Sequence, residues 1–139
     1  MIMPTITGIL ESALYVADLD RSRRFYGQLF GFQPMIDDER LCAMNVAGKQ
    51  VLLLFLRGAS NQPNPVPGGI APAHDGAGQL HLAFSIAADE LEVWRQRLER
   101  AGVEIESTVK SPRGGTSLYF RDPDGHLLEL ATPGLWPMY

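Results

Sequence analysis

The sequence predicts an α+β fold of two tandem β-α-β-β-β modules, and three observations carry that prediction. The run Glu11-Ser12-Ala13-Leu14-Tyr15-Val16 reads against His81-Leu82-Ala83-Phe84-Ser85-Ile86 at an offset of 70. Further on, Phe25-Tyr26-Gly27-Gln28-Leu29-Phe30-Gly31-Phe32 reads against Gln96-Arg97-Leu98-Glu99-Arg100-Ala101-Gly102-Val103 at an offset of 71. Each copy is therefore a strand followed by a helix that stops at a glycine. Three strand-like runs come after each helix. Duplicated modules tend to pack face to face, which brings equivalent positions to a shared cleft.

The first strand is expected near Ile9 to Val16, with Ile9, Glu11, Ala13 and Tyr15 on one face and Leu10, Ser12, Leu14 and Val16 on the other. Asp18 suits the cap of the next helix, whose inward row is Leu19, Ser22, Phe25, Tyr26, Leu29 and Phe30. Gly31 ends it. Strands follow near Gln33 to Ile36, Leu41 to Val46 and Gln50 to Leu56, with turns at Asp37-Asp38 and Gly48-Lys49. The second module repeats the plan: a strand at Leu80 to Ile86, a helix with Leu91, Trp94, Leu98 and Ala101 inward, then Gly102. Its last strands are expected at Val103 to Val109, Thr116 to Arg121 and His126 to Ala131.

Between the modules, Arg57 to Gly78 holds nine Gly or Pro among 22 residues, which excludes a helix or a central strand. A loop of that length is either a linker or a lid over a site. The expected organisation is one domain: module one over about 8–56, the loop 57–78, module two over about 79–131 and a tail 132–139.

With 139 residues, 45% of them hydrophobic and 20% charged, the chain can bury a real core. A net charge of -4 gives no support for nucleic acid or an anionic membrane as partner. The longest apolar run, Val51 to Leu56, has strand length, and the first residues lack the plan of a signal peptide, so a cytoplasmic location is expected. The single Cys42 excludes an internal disulfide and reads as a buried strand residue.

Asp122-Pro123-Asp124-Gly125 carries the residues of a type I turn closed by a left-handed glycine. If Asp122 pairs with His126, then Arg121 faces Leu127, Tyr119 faces Glu129 and Ser117 faces Ala131. Glu129 then shares a face with Tyr119 and Ser117, while Leu118, Phe120, Leu128 and Leu130 take the helix-covered face. Glu11 and His81 start their strands at equivalent positions, each followed two residues on by an alanine that leaves room. Should the modules pack as pseudo-equivalents, Glu11, His81 and Glu129 can meet, and two carboxylates with one imidazole suit a divalent cation. The alternative is that each is a polar residue in a structural hydrogen-bond network.

The segment Glu11 to Phe32, the strand Leu80 to Ile86 and the run Ser117 to Leu130 resemble the vicinal oxygen chelate superfamily. It comprises glyoxalase I, bleomycin-resistance proteins, fosfomycin-resistance enzymes and extradiol dioxygenases. The resemblance implies a cupped mixed sheet with helices outside and metal ligands at Glu11, His81 and Glu129. A fourth ligand position falls at Leu52 or Leu54, neither of which can bind metal, as in three-ligand members. One His with two carboxylates favours Mg or Mn, with Fe, Ni or Zn also admitted. Thiol transfer to fosfomycin ranks low, because no Thr flanks the first ligand and the middle loop is long.

The implied function is a metal-dependent lyase, isomerase, transferase or dioxygenase that chelates a small molecule through neighbouring oxygens. In that reading Glu129 and Tyr119 are catalytic, and Tyr15, Ser117, Tyr119, Arg113 and His74 bind substrate. Lys110 and the loop around Arg113 could meet an anionic group, and His126 is exposed or structural. A homodimer is expected. The rival is a metal-free protein that sequesters a flat apolar compound, with Trp94 and Trp136 as stacking groups.

Overall fold

The computed structural model, which describes residues 2–139, places the alternating first strand in a sheet with Leu14 and Val16 buried. The chain divides into two compact units, the first running to Gly76 and the second from Ala77 to Tyr139.

In the first unit, β1 (Glu11–Val16), β2 (Gln33–Asp37), β3 (Leu41–Val46) and β4 (Gln50–Leu56) form one sheet in the order β1-β4-β3-β2. β1 runs parallel to β4 in the register Glu11 to Val51, and the other pairs are antiparallel. The strand starts two residues later than expected, and Ile9 and Leu10 are exposed. β2 is a fully exposed edge strand whose register shifts between Pro34 and Ile36, a bulge that blunts the edge. The β3–β4 turn centres on Ala47 and Gly48, both at positive φ, one residue ahead of expectation.

Helix α1 (Leu19–Phe30) begins as its sequence dictates: the Asp18 carboxylate accepts from the Arg21 N–H at 3.1 Å. It ends at Gly31, in the left-handed region with φ 74°. Leu19, Ser22, Tyr26 and Leu29 are buried as α1 packs against β2, β3 and β4. The even-numbered residues Leu14, Val16, Cys42, Met44, Leu52 and Leu54 form the core of this unit.

The second unit repeats that topology. Strands β7 (His81–Ser85), β8 (Ser107–Lys110), β9 (Thr116–Arg121) and β10 (Leu127–Ala131) take the order β7-β10-β9-β8, with β7 parallel to β10. A short 3-10 turn (Ala88–Glu90) leads into α2 (Leu91–Arg100). Of its predicted inward row Leu98 is fully buried, Leu91 and Trp94 are half-buried, and Ala101 is exposed. Ala101 is the cap residue of a Schellman ending, in which Gly102 N–H donates to the Glu99 carbonyl and Val103 N–H to that of Leu98. That ending carries the chain away from the sheet, so β8 starts at Ser107 rather than Val103.

The Gly/Pro-rich segment holds a small hairpin that the composition did not announce. β5 (Asn64–Val66) pairs with β6 (Gly69–Ala71) across Pro67-Gly68. Pro67 presets one turn position and Gly68, at φ 91°, takes the left-handed one. Two three-residue strands outside both main sheets are compatible with prolines that a central strand would reject.

Candidate metal and substrate site

The hairpin Asp122–His126 sets the site in the second unit. Gly125 N–H donates to the Asp122 carbonyl at 3.0 Å, and the Asp122 carboxylate accepts from the N–H groups of Asp124 and His126. The register that follows is the expected one: Arg121 opposite Leu127, Tyr119 opposite Glu129, Ser117 opposite Ala131. Leu118, Phe120, Leu128 and Leu130 are buried on the opposite face. Glu129 thus projects from the centre of the sheet, only 4% exposed, away from the apolar layer.

β7 lies beside β10 with His81 opposite Leu127 and Ala83 opposite Glu129. His81 Nδ1 is 2.8 Å from the Leu127 carbonyl oxygen. A carbonyl only accepts, so Nδ1 carries the hydrogen and the neutral ring presents its lone pair at Nε2. That Nε2 is 3.2 Å from Glu129 Oε1. Two lone-pair groups at this distance repel unless a positive centre is shared between them, either a proton on Nε2 or a metal ion. The other carboxylate oxygen, Oε2, accepts from the Ser117 hydroxyl at 2.5 Å. Tyr119 stacks on His81 with ring centroids 6.3 Å apart. Burial first, and the Glu129 charge second, hold its phenol above the ordinary value of 10.0.

The second unit therefore brings together His81, Ser117, Tyr119 and Glu129. Arg113 lies in the exposed turn between β8 and β9. His126 is fully buried, and its Nδ1 accepts from the Leu80 N–H at 2.9 Å, so of its two expected settings it takes the structural one.

In the first unit Glu11 opens β1 and is exposed. Tyr15, on the same face, donates to or accepts from His74 Nδ1 at 2.8 Å. The His74 ring meets Phe55 edge-on at 4.4 Å, and the backbone N–H of His74 donates to the Ser60 carbonyl. Arg40 holds the Ser60 hydroxyl at 2.9 Å. The 57–76 segment is thus fastened over the helix-free face of its sheet, where sequence reasoning had left linker and lid equally open. Phe55 and Gly76, which contact the Tyr15 ring, went unnoticed because loop composition says nothing about where a loop lands.

The repeat also corrects one position. Ala13 pairs with Leu53 as Ala83 pairs with Glu129, so the equivalent of Glu129 in the first unit is Leu53, not Leu52 or Leu54. Leu52 and Leu54 face the core. A leucine stands there in either case, and no metal ligand is gained. Among the described residues no three His, Cys, Asp or Glu side chains form a group disposed to hold an ion; His81 and Glu129 are a two-donor pair. That pair fits a divalent cation: an imidazole in the ligating tautomer, with a backbone carbonyl behind it, beside a carboxylate whose Oε1 faces the ring.

Residues 8–130 match the family model described as the Glyoxalase/Bleomycin resistance protein/Dioxygenase superfamily. The chain is 31% identical over 129 residues to a metallothiol transferase FosB of Shouchella clausii, covering 91% of this chain and 81% of that protein. Over a 50-residue stretch, 36% of this chain and 34% of the relative, it is 54% identical to a glutathione transferase FosA of Serratia marcescens. Among solved structures, a lactoylglutathione lyase from Agrobacterium tumefaciens superposes with a TM-score of 0.87 at 31% identity, covering 96% of this chain and 99% of the other. Thiol transferases thus stand among the relatives, a class the sequence reading had ranked low.

Proposed function

The chain belongs to the glyoxalase/bleomycin resistance protein/dioxygenase superfamily, and from that premise we propose that it is a metal-dependent enzyme acting on a small molecule. The observation that carries this reading is the Nε2-to-Oε1 approach of 3.2 Å, a distance that a divalent cation shared by His81 and Glu129 would account for, as a proton on Nε2 also would. These two are the proposed ligands in the second unit. Glu11 is the proposed third, on the ground that it holds the strand position in β1 that His81 holds in β7. A divalent ion held there would supply Lewis-acid stabilisation of negative charge developing on substrate oxygen.

The chain's own residues divide the remaining work. Tyr119, stacked on His81, offers a phenol hydrogen to substrate. Arg113 offers a cation to an anionic group, and Tyr15 with His74 lines the sheet face that bears Glu11. Transfer of a thiol to such a substrate is admitted by the relatives named above, alongside lyase and isomerase chemistry. The working form is read as a cytoplasmic homodimer, each chain acting as one domain whose halves are completed by the second copy.

The test is metal analysis of protein purified without chelator, followed by calorimetric titration of Mn²⁺ into stripped wild type, His81→Ala and Glu129→Gln. Wild type should bind, and each variant should bind at least about tenfold more weakly. Equally weak, millimolar binding by all three would overturn the proposal and favour a metal-free binder.

A further inference from the structure

The Ser117 hydroxyl has a partner that decides its role. Ser117 is 3% exposed and sits on β9, two residues from Tyr119 and diagonal to Glu129 across the β9–β10 pair. Its Oγ donates to Glu129 Oε2 at 2.5 Å, a short, charge-assisted hydrogen bond. A serine hydroxyl has a single hydrogen, and here it is spent on the carboxylate. The geometry points to Ser117 as a positioning residue for the metal ligand Glu129, rather than a group that binds substrate.

A carboxylate in the middle of a strand can turn about its terminal torsion and offer either oxygen. Tying Oε2 to Ser117 removes that freedom and leaves Oε1 aimed at His81 Nε2. The same bond gives a buried carboxylate oxygen a donor, and no side-chain N or O among the described residues is left buried and unpartnered. The arrangement mirrors the other ligand: the Leu127 carbonyl orients the His81 ring, and the Ser117 hydroxyl orients the Glu129 carboxylate. Each ligand has one fixed neighbour behind it, which is how outer residues set ligand direction and basicity.

This inference rests on the metal reading above, and its test separates the two. Mn²⁺ is titrated into stripped wild type, Ser117→Ala and Ser117→Thr, with the electron paramagnetic resonance spectrum of bound Mn²⁺ recorded at saturation and thermal unfolding checked for each. Ser117→Ala should stay folded yet bind Mn²⁺ roughly 10- to 100-fold more weakly and give an altered spectrum. Ser117→Thr, which keeps the hydroxyl, should return affinity to within about threefold of wild type and restore the spectrum. Wild-type affinity in Ser117→Ala would overturn the positioning role and leave the metal reading intact, as would loss of affinity in a folded Ser117→Thr matching that in Ser117→Ala. No Mn²⁺ binding by wild type would overturn both. Should Ser117→Ala fail to fold, the threonine variant alone decides, wild-type affinity supporting the role and weakened binding overturning it.

Discussion

The Cys42 thiol lies fully buried on β3, and burial, helped by the nearby Asp37 charge, pushes it up from 9.0 to about 11. The folded thiol then ionises less readily than the unfolded one, so its contribution to stability is whole below pH 9.0 and fades as pH rises towards about 11. Iodoacetamide at about pH 8 should therefore leave the native protein unmodified and label it once urea unfolds it. Rapid labelling of native protein would show that the thiol is accessible. At the same scale, Glu129 stands out in the sequence as a charged residue inside an apolar strand, and His81 through the repeat. What the sequence withheld was orientation. Which ring nitrogen of His81 carries the hydrogen is decided by a carbonyl 46 residues away, and periodicity carries no record of it.

Helix α1 and the 57–76 segment show two kinds of element, one written locally and one not. Asp18, the inward row and Gly31 all lie within 14 residues and act through local hydrogen bonds and spacing, so the helix was legible from end to end. Replacing Asp18 with alanine removes the acceptor for the Arg21 N–H and should cost about 1 kcal/mol, read as a lower urea midpoint with an unchanged slope. The loop obeys a different rule. Its Pro and Gly content foretold irregular chain, but its landing on Tyr15 and Phe55 depends on partners far away in sequence. A methyl group at Gly76 would run into the Tyr15 ring, which His74 and Phe55 already hold. Gly76→Ala should thus destabilise the protein by about 1–3 kcal/mol through overpacking, while Gly69→Ala, where a side chain meets open space and the backbone is not left-handed, should not clash. Equal stability of Gly76→Ala and wild type would mean that the loop does not rest on Tyr15.

At the scale of the whole molecule, the apolar residues Ile2, Met3, Ile6, Ile9 and Leu10 are largely exposed, an unusual run for a chain that acts alone. Sedimentation at micromolar concentration should give twice the chain mass, and an Ile6→Glu, Ile9→Glu variant should shift it towards one; a wild-type monomer would remove the dimer from the proposed function without touching the fold. The duplicated β-α-β-β-β order, the turn chemistry and the period-two faces were determined by the sequence alone, because caps, turns and pleat alternation act over a few residues. The hairpin at Asp122–His126 carried that local certainty into the β9–β10 register and thereby set Tyr119 against Glu129. Tertiary structure decided the rest: that Leu53 rather than Leu52 or Leu54 answers Glu129, that His126 is buried, and that Ser117 spends its hydrogen on the carboxylate. These depend on parallel pairing between distant strands and on which atoms meet in a buried space, where hydrogen-bond geometry is sharp and sequence spacing is silent.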